Sequence, residues 1–157
     1  MGLEYAIEES CEDALAAYLK ANLPGDMLVT PAWTTWTLQY PCVIVHAGMS
    51  GNWNDQAVFN WRRKIEVNVG IKTEAKSVKD DGGVTIRLAR EQNRAVRAAV
   101  TELLGKAMLH EELNAMNIPG ILFSTAYMMG VTRSVDGPGR IFESSIVIEV
   151  IAQPTAI

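Results

Sequence analysis

The sequence predicts an α+β domain: an antiparallel or mixed sheet of about four strands, with two long helices packed on one of its faces. Two stretches of helical apolar spacing, a strictly alternating run after Arg63, and a closing apolar strand carry that prediction.

Helical spacing comes first. Leu3, Ile7, Cys11, Ala14, Leu15, Tyr18 and Leu19 recur at three- and four-residue steps, which predicts a helix from Leu3 to Asn22 with one buried stripe. Glu4, Glu8 and Glu9 near its start and Lys20 near its end complement the helix dipole, and Pro24-Gly25 stops it. Met27–Thr30 and Thr35–Tyr40 then read as short strands or extended segments around Pro31 and Trp33.

The segment from Pro41 to Lys72 reads as one β-hairpin built for display. Its first arm is Cys42–Ala47; its second alternates Ile65, Val67, Val69 and Ile71 against Lys64, Glu66, Asn68 and Lys72, the pattern of a half-buried strand. Tight hairpins use two to five loop residues, so the excursion from Gly48 to Asn60, with Trp53 and Phe59, predicts a loop kept for contact with a partner. Trp61 is expected to cover the domain's own core.

Thr73–Gly83 reads as a polar linker or exposed arm. A second helix is predicted from Thr85 to Lys106, with Leu88, Gln92, Val96, Ala99, Val100, Leu103 and Leu104 as its buried stripe. A short helical turn over Leu109–Met116 leads through Pro119-Gly120 into a strand from Ile121 to Arg133. Ser134–Arg140 has turn chemistry, and the last strand, Ile141–Gln153, places Ile146, Ile148 and Val150 on one face and Val147, Glu149 and Ile151 on the other. Residues 1–157 read as one domain.

Composition narrows the function. The chain has 157 residues, 48% hydrophobic and 20% charged, with a mean hydropathy of +0.07, which suits one soluble domain with a core of its own. A net charge of −4 gives the molecule no overall footprint for nonspecific nucleic-acid binding, so any basic site is local. No apolar stretch approaches the roughly twenty residues that span a bilayer. The N-terminus lacks the pattern of a secretory signal, which predicts a protein made and kept in a cytoplasm.

Chemistry is sparse. Cys11 and Cys42 lack metal-ligand spacing and read as small buried hydrophobes. His46 and His110 have no carboxylate or cysteine at a spacing that builds a metal site or a triad. Cys42 and His46, four apart on one strand, are roughly 13 Å apart, too far for a nucleophile and its base, and His46 is expected to be a core-facing or edge histidine with a backbone partner. Asp136-Gly137-Pro138-Gly139 joins strand to strand without the helix N-terminus a phosphate loop needs. No catalytic residue, cofactor or metal site is predicted.

Arginines are better organised. Arg87, Arg90, Arg94 and Arg97 recur at three- and four-residue steps along one side of the second helix, a positive ridge suited either to solvent or to an acidic neighbour. Arg62-Arg63-Lys64 at the base of the display loop is a smaller cluster open to the same two readings. Interfaces favour aromatic residues, Met and Arg, so Trp53, Phe59, Arg62, Arg63, the four-arginine ridge and the Met128-Met129 pair are the interface candidates.

This arrangement resembles the tail terminator, or tail-completion, proteins of long-tailed bacteriophages. The resemblance rests on an N-terminal amphipathic helix, the Tyr40-Pro41-Cys42-Val43-Ile44-Val45 strand, a Gly-rich polar excursion, the Arg63-Lys64-Ile65-Glu66-Val67-Asn68-Val69 strand, a long helix, and the Arg140–Val150 strand. It covers nearly the whole chain. It implies a structural virion protein without enzymatic activity: a homo-oligomeric ring of about six subunits that caps the tail tube protein, ends its polymerisation and presents a surface to the head–tail connector or another neck protein. DNA would pass through the lumen without sequence-specific binding. The implied location is the head–tail junction of the virion, with assembly in the host cytoplasm and no membrane partner. Alternatives are another neck or head–tail connector protein, a small ligand-binding regulatory α+β domain, or an unrecognised enzyme.

Overall fold

The computed structural model describes residues 7–25, 27–34, 37, 39–52, 62–75, 84–136 and 141–155, with backbone alone at 49–52, 84–87 and 133–136. In chain order the elements are α1 (Ile7–Asn22), β1 (Leu28–Pro31), a 3-10 turn (Ala32–Thr34), β2 (Cys42–Asn52), β3 (Arg63–Glu74), α2 (Val84–Leu104), α3 (Leu109–Asn114), β4 (Ile121–Asp136) and β5 (Ile141–Pro154).

Alternation in β3 puts Ile65, Val67, Val69 and Ile71 on one face, all fully buried. Register propagates that face across the sheet. Val69 lies opposite Val45 of β2 and Ile146 of β5, and Val67 opposite Ala47 and Ile148. The strand order is β1-β2-β3-β5-β4; β1 runs parallel to β2 and every other neighbouring pair is antiparallel. The fold is therefore α+β with a mixed sheet, as the sequence predicts. It has five strands because Leu28–Pro31 pairs with Cys42–Val45. Of the second predicted extended segment, Thr35–Tyr40, the described residues form no strand.

Both long helices cover the same sheet face. Leu15 and Leu19 of α1, Val100 and Leu104 of α2, and Leu109 and Leu113 of α3 join the inward residues of the strands in one core cluster. Burying each such side chain stabilises the fold by about 1.5–3 kcal/mol. The Tyr18 hydroxyl donates to the Leu103 carbonyl at 2.9 Å, tying α1 to the end of α2.

Three boundaries differ from expectation. β2 continues past Ala47 to Asn52: its register slips between Ala47 and Ser50, after which Gly51 and Asn52 pair with Lys64 and Arg63. A bulge thus carries Gly-rich residues of poor strand propensity into the ladder, and the expected display loop loses its first five residues. Trp53, Phe59 and Trp61 lie outside the described residues. Thr73 is not linker either; it is fully buried in β3, and its hydroxyl donates to the Ala89 carbonyl at 2.8 Å. β4 reaches Asp136, beyond the predicted end at Arg133.

The buried stripe of α2 is also rotated from the predicted one. Ala89, Asn93, Val96, Val100 and Leu104 face inward, whereas Gln92 is exposed and Leu88 is 54% exposed. A polar residue, Asn93, takes the central place because the strands beneath offer it backbone carbonyls. Its amide donates to the carbonyls of Ile71 at 3.3 Å and Phe142 at 3.0 Å, and the Ser144 hydroxyl donates to its side-chain oxygen.

At the far edge of the sheet, α3 covers the start of β4. Asn114 acts as a short surrogate strand: its amide donates to the Phe123 carbonyl at 2.9 Å, and its side-chain oxygen accepts the Phe123 N–H at 2.8 Å. Asn117, at φ 56°, and Gly120, at φ 86°, turn the intervening loop in left-handed backbone that both residues tolerate.

Candidate functional site

Thr73 of β3 bonds α2 on one flank and Phe142 and Ser144 of β5 meet it on the other, so the arginine side of α2 overlooks β5 and, beyond it, β4. The Arg90 guanidinium lies 5.2 Å from the centroid of the Phe142 ring, a cation–π contact. Arg97 is half-buried and its Nη1 donates to the Ser144 hydroxyl oxygen at 3.4 Å. Arg94 is exposed and makes no ion pair among the described residues. The ridge read from the sequence is therefore divided. Arg90 and Arg97 are engaged by the sheet beneath them, Arg94 points its charge outward, and the side chain of Arg87 lies outside the described residues. Arg62 is exposed and Arg63 half-buried where β3 begins.

The β1 end of the sheet, under α1 on the same face, has a different character. Glu12 is buried on α1 and its two oxygens accept two backbone N–H groups: Trp33 at 3.0 Å and Ala47 at 2.9 Å. One carboxylate thus fixes the 3-10 turn after β1 and the bulge of β2. The Trp33 indole N–H donates to Asp13 Oδ1 at 2.9 Å, yet the side chain remains 56% exposed. The residue is held at two points, its backbone by Glu12 and its indole by Asp13, while more than half of it stays open to solvent. Sequence reasoning missed this surface because nothing local links Trp33 to the helix twenty residues before it.

β4 carries a third set. Leu122, Tyr127, Met129 and Val131 are each more than 40% exposed, and Met128 packs inward against the core. The sequence singled out Met128-Met129; the structure separates them, one to each environment, at a register slip between Met128 and Gly130. On the face of the sheet away from the helices, the Tyr127 hydroxyl donates to Glu149 Oε1, and Lys64 Nζ lies 3.4 Å from Glu149 Oε2, a ladder across β4, β5 and β3. The hydrogen bond to Glu149, with smaller help from desolvation, holds the Tyr127 phenol above its ordinary value. Lys72 and Glu143 pair at 3.5 Å lower on the same face.

Cys11 and Cys42 are free and buried, as expected, and burial pushes both thiols up, which keeps them protonated and unreactive at neutral pH. His46 is exposed on β2 rather than core-facing, because it shares the outward parity of Ile44 and Cys42 on a sheet whose helices lie on the other side. No group of three or more His, Cys, Asp or Glu residues fit to hold a metal ion occurs among the described residues, and none of the described helices is long and apolar enough to cross a membrane. No protein-family model matches the sequence, and no curated protein does either. The described features with unspent binding capacity are surfaces: Arg94 with the β4 stripe on one side, and Trp33 with Asp13 on the other.

Proposed function

We propose that the protein is a tail terminator of a long-tailed bacteriophage: a structural subunit whose ring, of about six copies, caps the tail tube, ends its polymerisation and forms the surface that joins the head connector. One observation supports this reading above others: the segments that carry the resemblance form the elements it implies, in the implied order, as α1, β2, β3, α2 and β5 of a single layered sheet. Exposed surfaces of unlike chemistry on one body are what a ring subunit requires. Arg94 and the aromatic candidates Trp53 and Phe59 are the residues proposed to meet the tube, the connector or a neighbouring copy. The ring would let DNA pass without reading its sequence, in keeping with the net charge of −4.

The experiment is deletion of the gene from the phage that encodes it. Electron microscopy is expected to show overlong tails without heads, and supplied protein should restore normal length and joining. Tails of normal length without the protein overturn the reading. Normal-length tails that fail only in joining would move the protein to the connector side of the neck.

A further inference from the structure

β1 and β4 are the two outer strands of the sheet, and they are finished in opposite ways. β1 is short, four residues ending at Pro31, and runs straight into the 3-10 turn, the usual protection of an edge. β4 has sixteen residues, and from Ile121 to Thr132 none is charged. α3 and Asn114 cover its first residues, and register slips after Phe123, Met128 and Thr132 bend it, but from Thr125 onward no described strand lies beyond it. Four of the seven large hydrophobic side chains most exposed among the described residues sit on this strand. Charge is one usual way to blunt such an edge, and between Ile121 and Thr132 it is absent.

Charge is complementary between the two sides. Arg94 of α2 is exposed on the flank that faces β5, and Asp13 of α1 flanks the exposed Trp33 on the β1 side. Tryptophan and arginine are the side chains that most often anchor interfaces.

We infer that copies of this chain join head to tail through these two edges, the Trp33–Asp13 surface of one subunit seating on the Met129–Val131 stripe and Arg94 of the next. The inference rests on the ring reading above and names the contact that would build it. Because the two surfaces are different and lie on opposite edges, the same contact repeats from copy to copy, and a fixed rotation per step closes it into a ring.

Two variants test it, Trp33→Glu and Met129→Glu, each at an exposed position and each checked by circular dichroism for an unchanged fold. Alone, each is expected to self-associate about thirtyfold more weakly than the unmodified chain, the effect of losing one interface anchor. Mixed in equal amounts, they retain one intact surface each and should form a heterodimer that grows no further, read by native mass spectrometry. If Trp33→Glu assembles like the unmodified chain while Met129→Glu does not, β4 pairs with β4 and the inference is overturned. It is equally overturned if the mixture fails to pair. An unmodified ring indifferent to both changes overturns the edge assignment and leaves the ring reading standing, whereas a chain that stays monomeric both alone and at tail ends sinks the two together.

Discussion

The carboxylate of Glu12 accepts the backbone N–H of Ala47 at 2.9 Å, joining α1 to the point where β2 slips its register. Its other oxygen takes the N–H of Trp33, so one buried side chain satisfies two donors that the ladder leaves over. Glu12→Ala is expected to cost about 3 kcal/mol, because buried N–H groups without acceptors cost far more than a hydrogen bond gains. Glu12→Gln, which keeps one acceptor, should cost roughly half as much. Urea unfolding of the two variants checks both the loss and its order; equal midpoints for the unmodified chain and Glu12→Ala would contradict it.

Asn93 and Gln92 give a paired test of the helix phase. Asn93→Ala removes the acceptor of the Ser144 hydroxyl proton and two bonds to strand carbonyls, an expected loss of about 2–4 kcal/mol. Gln92→Ala, on the exposed side, should stay within about 0.5 kcal/mol. Thermal denaturation of both variants reads the difference directly.

Much of this architecture was legible in the sequence, and the failures share a cause. Period and alternation reveal α1, α2, β3 and β5 because each has a face that must be buried whatever its partner. They mark Met27–Thr30 as a short strand or extended segment but do not show that it pairs with β2, nor do they reveal the phase of α2, where an asparagine is buried because carbonyls of distant strands await it. The ridge of arginines was visible, but that Phe142 and Ser144 engage Arg90 and Arg97 depends on which strand lies below. Whether β4 was an edge could not be read at all, since strand order is set by pairing between remote segments.

Tyr127 should give the sheet a dependence on alkaline pH. Its bond to Glu149 raises the folded-state pKa above the unfolded value, so the folded state holds the proton more tightly. The resulting stability is fully present below about pH 10, the unfolded value, and is lost as pH rises through the folded one. Tyr18, raised by burial, acts in the same direction, so the comparison is between the unmodified chain and Tyr127→Phe. The variant is expected to lose less of its melting temperature between neutral and strongly alkaline pH. Parallel curves would mean that the phenol contributes nothing to the linkage.

Arg94 is the clean probe of the arginine flank. Arg90→Glu would also disturb the Phe142 contact, and Arg97→Glu would break the bond to Ser144, an expected cost of about 1 kcal/mol. Arg94→Glu should leave stability within about 0.5 kcal/mol; on the proposed tail-terminator reading it should nevertheless prevent ring closure or the joining of tails to heads. Melting temperature and particle infectivity, measured on the same variant, separate the two effects. Infectious particles with tails of normal length would return Arg94 to the role of a solvated charge.

The place of β5 has a consequence for biosynthesis. Among the described residues it is the last of five strands in chain order, yet it lies between β3 and β4 and pairs with both. While a ribosome is still translating, β1, β2 and β3 can pair with one another, but β4 has no strand to pair with and the seat of Asn93 lacks the Phe142 carbonyl. An unfinished chain therefore cannot present β4 and the arginines in register until β5 has been made.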